Sequence, residues 1–152
     1  MKKIVVTNEK GGTGKSTIAC LLVEYLNWKK KKVQLIDSDE IQTSQTWVEN
    51  CQAEDRSVST AHNPDYQIID TAGSGGSALN WLRSADQIIV PFRPHYADLQ
   101  TTITWFTSLE PTWQAKIILV PNQWQKTKEQ REGLAQLQQI ITEEKNGLIT
   151  TP

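Results

Sequence analysis

The feature that most constrains this chain is a glycine-rich segment near its start, residues 9–17, which reads Glu-Lys-Gly-Gly-Thr-Gly-Lys-Ser-Thr. An apolar run at residues 3–7 precedes it, and apolar residues at helical spacing follow it from Ile18 to Leu26. A strand, a glycine-rich loop and a helix, in that order, form the setting in which a phosphate-binding loop works. The sequence therefore predicts an anion site at the start of the first helix.

Three glycines explain how such a loop would hold an anion. Gly11, Gly12 and Gly14 allow consecutive backbone N–H groups to curl inward, in conformations that a side chain would disfavour. The helix that starts near Lys15 adds the positive end of its dipole. Lys15 would reach the β- and γ-phosphates, and the Ser16 hydroxyl is placed to ligate Mg²⁺. The alternative is a glycine-rich turn that binds nothing, which the agreement between setting and residue types disfavours.

Two further apolar runs end in acidic residues. Residues 33–37 read Val-Gln-Leu-Ile-Asp and residues 66–70 read Tyr-Gln-Ile-Ile-Asp. Right-handed crossovers would put the loops after the first three strands at one edge of a sheet, where ligands of open α/β sheets bind. We therefore expect Asp37, Asp39 and Asp70 to converge on the glycine-rich loop. Asp70 would hold Mg²⁺, usually through water, and the alternative is a buried strand that merely happens to end in Asp.

The remaining sequence alternates strands and helices, and its 152 residues fit one domain. Continuous apolar runs in the strands indicate an α/β fold with a mostly parallel sheet, covered by helices on both faces. The polar segment 52–65 is expected to be a connector or at most a short edge strand, and residues 73–76 a mobile linker. Predicted strands cover residues 3–7, 33–37, 66–70, 86–92 and 115–121, with the start of a sixth at 147–150. Predicted helices cover residues 15–28, 41–51, 77–84, 96–110 and 127–144.

Charge and composition exclude some classes of function. Sixteen Lys and Arg residues balance seventeen Asp and Glu residues, so nucleic-acid binding would need a local basic patch. The four lysines at residues 29–32 are interpreted as a solvated helix end, where cations suit the negative end of the dipole. Cys20 and Cys51 have neither metal nor redox spacing. No targeting or membrane segment is visible, and a cytoplasmic location is the simplest expectation.

Four segments carry a resemblance to a known family. Residues 10–16 read Lys-Gly-Gly-Thr-Gly-Lys-Ser, with Glu9 where a P-loop usually has its first glycine and with a second lysine ahead of the glycines. This segment resembles the deviant Walker A box of the ParA/MinD family of ATPases. Residues 37–39 resemble the family's second motif, residues 70–73 its Walker B motif and residues 89–91 the strand that follows. The resemblance covers nearly the whole chain, and it is strongest to short plasmid-partition ParA proteins.

The resemblance implies a P-loop ATPase that binds ATP or ADP with Mg²⁺ and forms a homodimer that sandwiches the nucleotides. It would position plasmid DNA or another cargo, together with a ParB-like adaptor protein. Lys15 would bind phosphates in its own subunit, Lys10 would reach the nucleotide of the partner, and Asp39 would position the attacking water. The implied catalytic residues are Lys10, Lys15 and Asp39, the implied metal-binding residues are Ser16, Asp37 and Asp70, and the implied nucleotide-binding residues are Lys10, Gly11, Gly12, Thr13, Gly14, Lys15, Ser16, Thr17 and Asn122.

Two departures from the family pattern limit what the resemblance implies. The glutamine that usually follows the Asp-x-Asp motif stands one place late, at Gln42, so we assign it no role. Family members also continue beyond the length of this chain, which would be either truncated or unusually small. We therefore expect weak or no DNA binding from these 152 residues, although DNA binding occurs in the family.

Four other functions are alternatives to this one. A membrane-directed MinD-like ATPase would need a C-terminal amphipathic helix, which residues 147–152 do not offer. An iron–sulfur relative would need cysteines at its dimer interface. A nucleotide-binding module without turnover would share the loop. A small-molecule kinase would want a lid with arginines, and Arg83, Arg93 and Arg131 are too dispersed to suggest one.

Overall fold

The strands and helices alternate along the chain as the sequence predicts. A computed structural model describes residues 1–54, 58, 61–72, 77–144 and 148–149. Within these residues the strands are β1 (Lys2–Val6), β2 (Val33–Asp37), β3 (Tyr66–Asp70), β4 (Gln87–Phe92), β5 (Ile117–Pro121) and β6 (Leu148–Ile149). The helices are α1 (Lys15–Trp28), α2 (Thr43–Ala53), α3 (Ser77–Ser84), α4 (Tyr96–Thr107), α5 (Pro111–Gln114) and α6 (Lys128–Glu144).

The described strands form one parallel sheet in the order β2-β3-β1-β4-β5-β6. Neighbouring residues of a strand point to opposite faces, so each buried strand supplies two cores. Val5 packs in a cluster with buried residues of α3, α4 and α6, whereas Val6 packs with buried residues of α1 and α2. Helices thus cover both faces of the sheet, and the predicted fold class is confirmed.

The order of the strands places the glycine-rich loop at the centre of one sheet edge. β1 lies between β3 and β4, so the chain winds to one side of β1 first and then to the other. The carboxyl ends of β1, β2 and β3 are level, because Asp70 pairs in register with both Val6 and Asp37. Such a reversal point, just outside the carboxyl ends of the strands, is where open α/β sheets bind ligands.

Several observed helix and strand boundaries differ from the predicted ones, each for a local reason. α2 begins at Thr43 rather than at residue 41, because Gln42 has a left-handed backbone (φ 52°) that a helix cannot include. The predicted helix at 96–110 ends at Thr107, and the short helix α5 was not predicted. Because α5 occupies residues 111–114, β5 begins at Ile117, later than expected.

Two predicted connectors fall partly or wholly outside the described residues. The expected mobile linker at 73–76 lies outside them. Of the connector at 52–65, the described residues form no separate strand, although Val58 is buried and the Ala61 amide donates to the Val33 carbonyl at 2.8 Å. These contacts hold the connector against the edge of β2.

The lysine run lies at the solvent-exposed end of α1, as expected. Residues 29–32 are all exposed, and Lys30 ends the helix with a left-handed backbone (φ 56°). Trp28 is 71% exposed, and the Lys29 ammonium lies 4.4 Å from the centroid of its ring. Exposed Leu21 and Tyr25 lie on the same helix. Within the described part of the chain, no helix is long and apolar enough to span a bilayer.

Both cysteines are buried free thiols. Cys20 lies on α1 and Cys51 on α2, and both belong to the apolar side of their helices. Burial raises the pKa of Cys20 to about 12, with nearby acidic groups adding to the effect. The thiol is therefore protonated at neutral pH, which agrees with a packing role.

Candidate functional site

The glycine-rich loop joins β1 to α1 and depends on two left-handed glycines. Gly12 has φ 71° and Gly14 has φ 95°, values that residues with a side chain rarely adopt. Gly14 is the residue before α1, and its carbonyl accepts the first helical hydrogen bond, from the Ile18 amide at 2.9 Å. Gly11 was also expected to need such a conformation, but its φ is not positive and open space surrounds it. That part of the expectation was wrong.

Asn122 secures the loop from the end of β5. Its side-chain Nδ2 donates to the backbone carbonyl of Thr13 at 2.9 Å, and Thr13 is fully buried. A Cβ atom at Gly14 would overlap the Asn122 amide, so the close approach also requires glycine there. Asn122 was predicted to bind the nucleotide. The structure places it against the loop, and a contact with the nucleotide stays a prediction.

Lys15 lies at the centre of the candidate site, in the first turn of α1. It is buried, and its ammonium donates to the Lys10 carbonyl at 3.3 Å. Burial lowers the pKa of Lys15, while the negative charges of Asp70 and Asp39 partly offset that effect. The structure thus brings both acidic residues into the neighbourhood of the loop lysine, as the order of the strands led us to expect.

Asp70 is a buried carboxylate at the end of β3. It is fully buried, and neither of its oxygens receives a hydrogen bond from the described residues. Burial raises the pKa of Asp70, and the negative charge of Asp37 adds to the increase. The increase is opposed by the nearby hydroxyls of Ser16 and Ser44 and by the positive charge of Lys15. A buried charge of this kind is costly unless it is paired or coordinates a metal.

The donor set around Asp70 fits Mg²⁺. Ser16 lies beside it, and a hydroxyl and a carboxylate are the oxygen ligands this ion prefers. Among the described residues, no group of three or more His, Cys, Asp and Glu side chains could hold a metal by itself. A magnesium ion here would therefore take its other ligands from substrate phosphates and water, which is how phosphate-transfer sites usually bind it.

Asp37 caps α2 from the end of β2. Its Oδ2 accepts hydrogen bonds from the Ser44 amide at 2.9 Å, the Ser44 hydroxyl at 2.8 Å and the Gln45 amide at 3.1 Å. Gln42, which precedes the helix, makes no side-chain cap. Asp37 thus satisfies N–H groups of the first helical turn that would otherwise lack acceptors. Its Oδ1 accepts one bond, from the Asp39 amide at 3.0 Å.

Asp39 lies in the turn between β2 and α2. Its Oδ1 accepts a hydrogen bond from the Ile41 amide at 3.1 Å, and its carbonyl accepts one from Gln42 at 3.2 Å. The residue is half-buried, and its charge acts on Lys15. Asp39 therefore has a fixed backbone and a carboxylate close to the loop. Thr17, the last residue of the predicted loop set, is exposed on the first turn of α1.

Lys10 makes an ion pair that the sequence did not predict. Its ammonium contacts Oδ1 of Asp98, and Nε of Arg93 donates to Oδ2 of the same carboxylate at 2.5 Å. The Asp98 side chain is only 7% exposed. Burial alone would raise the pKa of Asp98, but hydrogen bonds and charges from Lys10 and Arg93 outweigh it, so the net pKa is lowered. Asp98 stays ionised.

Sequence reasoning missed Arg93 and Asp98 because they belong to no recognised motif. A positional signal was available, since Arg93 directly follows β4 and β4 pairs with β1. The carboxyl end of β4 therefore lies beside the start of the glycine-rich loop. Arg93 is too far from the other arginines in the sequence to suggest a kinase lid, yet it borders the loop: a Cβ atom at Gly12 would lie 4.0 Å from its Nη1.

Solved structures share this fold along almost the entire chain. A plasmid partition protein from Borrelia burgdorferi B31 bound to AMPPNP superposes with a TM-score of 0.71 and 18% identity, covering 98% of this chain and 84% of its own. The MinD cell division protein of Aquifex aeolicus gives 0.64 and 18%, covering 98% and 81%. Cobyrinic acid a,c-diamide synthase from Mycobacterium smegmatis, with bound ADP and magnesium, gives 0.69 and 14%, covering 91% and 82%.

The family comparison covers the same extent of chain. A search of curated protein sequences finds no match. The family model described as the CobQ/CobB/MinD/ParA nucleotide binding domain matches residues 4–149, which include the loop, the three acidic residues at the strand ends and Asn122. The chain therefore belongs to the ParA/MinD family of nucleotide-binding domains.

Proposed function

We propose that this protein binds Mg²⁺-ATP at the glycine-rich loop and hydrolyses it in an ATP-dependent homodimer. The observation that carries the proposal is the position of the Asp70 carboxylate, which receives no hydrogen bond from the described residues, next to Lys15 and Ser16. A buried carboxylate that has no hydrogen-bond or ion-pair partner lowers the stability of a folded domain. A site that must bind a cation together with a phosphate chain needs such a group.

The loop and its flanking residues would hold the phosphates. Gly12 and Gly14 shape the loop, the amide groups at the start of α1 would bind an anion, and Lys15 would move from the Lys10 carbonyl to the β- and γ-phosphates. Ser16 and Asp70 would hold Mg²⁺, which neutralises phosphate charge when bound. We assign Asp37 to the same metal region, where its Oδ1 could accept a hydrogen bond from a metal-bound water. Asn122 and Thr17 complete the proposed nucleotide contacts.

Asp39 is proposed to orient the attacking water. Its carboxylate lies at the end of β2 near Lys15, and only its Oδ1 is engaged by the described residues. A carboxylate in that position can accept a proton or align a nucleophile.

Lys10 is proposed to act across the dimer. In the structure its side chain is 35% exposed. Lys15 would already contact the phosphates of the same subunit. A lysine that reaches the partner's nucleotide would make hydrolysis depend on assembly, as arginine fingers do in other NTPases. We propose that this ATP-dependent assembly serves to partition or position plasmid DNA or another cargo through an adaptor protein. The fold shared with plasmid partition and cell division proteins supports it.

Two variants test the assignments of Asp39 and Lys10. Asp39→Ala should keep ATP affinity within a few-fold of wild type, lose hydrolysis and accumulate as an ATP-bound dimer. Lys10→Gln should bind ATP but fail to dimerise, measured by light scattering with AMPPNP. Loss of binding in Asp39→Ala would make Asp39 a structural or metal residue. Normal dimers in Lys10→Gln would refute the action in trans.

A second candidate is a nucleotide-binding module that acts only with another substrate. This alternative is supported by the fold that the chain shares with a synthase bound to ADP. Hydrolysis of ATP by the purified protein, without any co-substrate, distinguishes the ATPase from this alternative. Binding without hydrolysis, even at protein concentrations that favour dimers, would support the module.

A further inference from the structure

Arg93 borders the phosphate loop, although no motif predicts it there. We infer that Arg93 is a further phosphate-binding residue that contacts the terminal phosphate of ATP in its own subunit, and that Asp98 orients it. The inference rests on the proposed function, because it adds one more ligand to the same nucleotide. The test distinguishes failure of this inference from failure of the proposed function.

Arg93 lies at the end of the loop where the terminal phosphates would bind. In loops of this kind the lysine equivalent to Lys15 reaches the β- and γ-phosphates. The Lys15 ammonium lies 3.3 Å from the Lys10 carbonyl, so the phosphates to which it would move are expected near the Lys10 end of the loop. Arg93 shares the Asp98 carboxylate with Lys10, and its Nη1 lies 4.0 Å from a Cβ position at Gly12.

The guanidinium is anchored at one end and free at the other. Nε of Arg93 donates to Oδ2 of Asp98 at 2.5 Å, while its two Nη nitrogens have no hydrogen-bond partner among the described residues. The Arg93 side chain is 32% exposed, whereas that of Asp98 is 7% exposed. A guanidinium held in this way keeps its terminal N–H donors available for a phosphate, at little further entropic cost.

The charge of the cluster also favours an anion. Asp98 carries one negative charge, and Lys10 alone would neutralise it. Arg93 leaves one positive charge in excess at the mouth of the loop. The free protein, in which Lys10 still contacts Asp98, therefore has this excess charge when a nucleotide first binds. An arriving phosphate would be attracted to that excess charge, and the buried anchor would keep Arg93 in place while it binds.

The test compares nucleotides with and without a third phosphate. Calorimetry with Mg²⁺ and either AMPPNP or ADP is run on wild type, Arg93→Gln and Arg93→Lys, with Arg83→Gln on the exposed side of α3 as the matched control. Arg93→Gln should weaken AMPPNP binding roughly ten- to hundred-fold, the range for charge-assisted hydrogen bonds, and change ADP binding less than about three-fold. Arg93→Lys should fall between Gln and wild type, and Arg83→Gln should match wild type.

Asp98→Asn tests the orienting role with the same readout. It should reduce the preference for AMPPNP over ADP by less than Arg93→Gln does, and adding it to Arg93→Gln should cause little further loss, because the two residues act together. Thermal unfolding without nucleotide shows that each variant is folded. Equal losses for AMPPNP and ADP, or no loss in a folded Arg93→Gln or Arg93→Lys protein, would overturn the inference. If wild type bound neither nucleotide, the proposed function itself would fail.

Discussion

Replacing Asp70 by Asn should make the protein more stable while it removes the proposed metal ligand. The carboxylate is fully buried, and the described residues offer it no hydrogen bond. An unsatisfied buried polar group costs about 1–3 kcal/mol, and more when it is charged. Asn keeps the shape and removes the charge, but its amide is still a buried polar group, so Asp70→Asn should recover only the extra cost of the charge, on the order of 1 kcal/mol. For a chain of this length that corresponds to a rise in Tm of roughly 2–4 °C.

The gain in stability should depend on pH in a defined direction. Burial raises the pKa of Asp70 in the folded state above its unfolded value. Its destabilising effect is therefore complete at pH values above the folded pKa, and it fades as the pH falls through that value towards the unfolded pKa. The difference in Tm between Asp70→Asn and wild type should be largest near neutral pH and should shrink towards about pH 4, near the unfolded carboxyl pKa.

The assay is thermal unfolding of both proteins across this pH range, with EDTA and without nucleotide. A second series at neutral pH adds Mg²⁺ and ATP, which should raise the Tm of wild type far more than that of Asp70→Asn, because a ligand stabilises only the form that binds it. If Asp70→Asn without ligands were less stable than wild type at neutral pH, Asp70 would have a stabilising partner. The interpretation of the site as a cation site would then lose its basis.

Three further results are expected. Asp37→Ala should lower the free energy of unfolding by about 1–3 kcal/mol, because α2 loses its cap and the Ser44 hydroxyl loses its acceptor. Asp37→Asn should lower it less, and urea unfolding of both variants measures the difference. Gly14→Ala should lose nucleotide binding in calorimetry and at least about 1–2 kcal/mol of stability, because its φ of 95° and the Asn122 amide leave no room for a methyl group. Duplex DNA should not shift in a gel assay at sub-micromolar protein, even with ATP, and a salt-sensitive, ATP-dependent shift would make the lysines at 29–32 a binding patch.

Local sequence signals predicted most of the sheet and of the loop. Apolar runs that end in Asp37 and Asp70 located two strands, and the rule that crossovers are right-handed brought their ends to the loop. Helix boundaries were less predictable, because the left-handed backbone of Gln42 depends on the turn around Asp39 rather than on a residue type. The short helix α5 had no periodic pattern that could reveal it.

The contacts that complete the site could not be predicted from local patterns. The ion pairs of Asp98 join residues from the loop, the end of β4 and the first turn of α4. Asn122 contacts Thr13 across 109 positions of sequence. Such pairs become visible only when the strand order and the register are known. The sequence shows instead that Asp37 is acidic and near the loop, and it does not show that Oδ2 of this residue is engaged in capping a helix.

Calorimetric titration of the protein with ATP in the presence of Mg²⁺ tests the central proposal most directly. Wild type should bind one nucleotide per chain, and Lys15→Ala should bind at least about ten-fold more weakly, since each lost charge-assisted hydrogen bond is worth about 1.5–3 kcal/mol. Lys31→Ala, which removes an exposed lysine at the far end of α1, is the matched control and should bind as wild type does. Equal ATP affinity in wild type and in a folded Lys15→Ala protein would contradict the assignment of the loop as the nucleotide site.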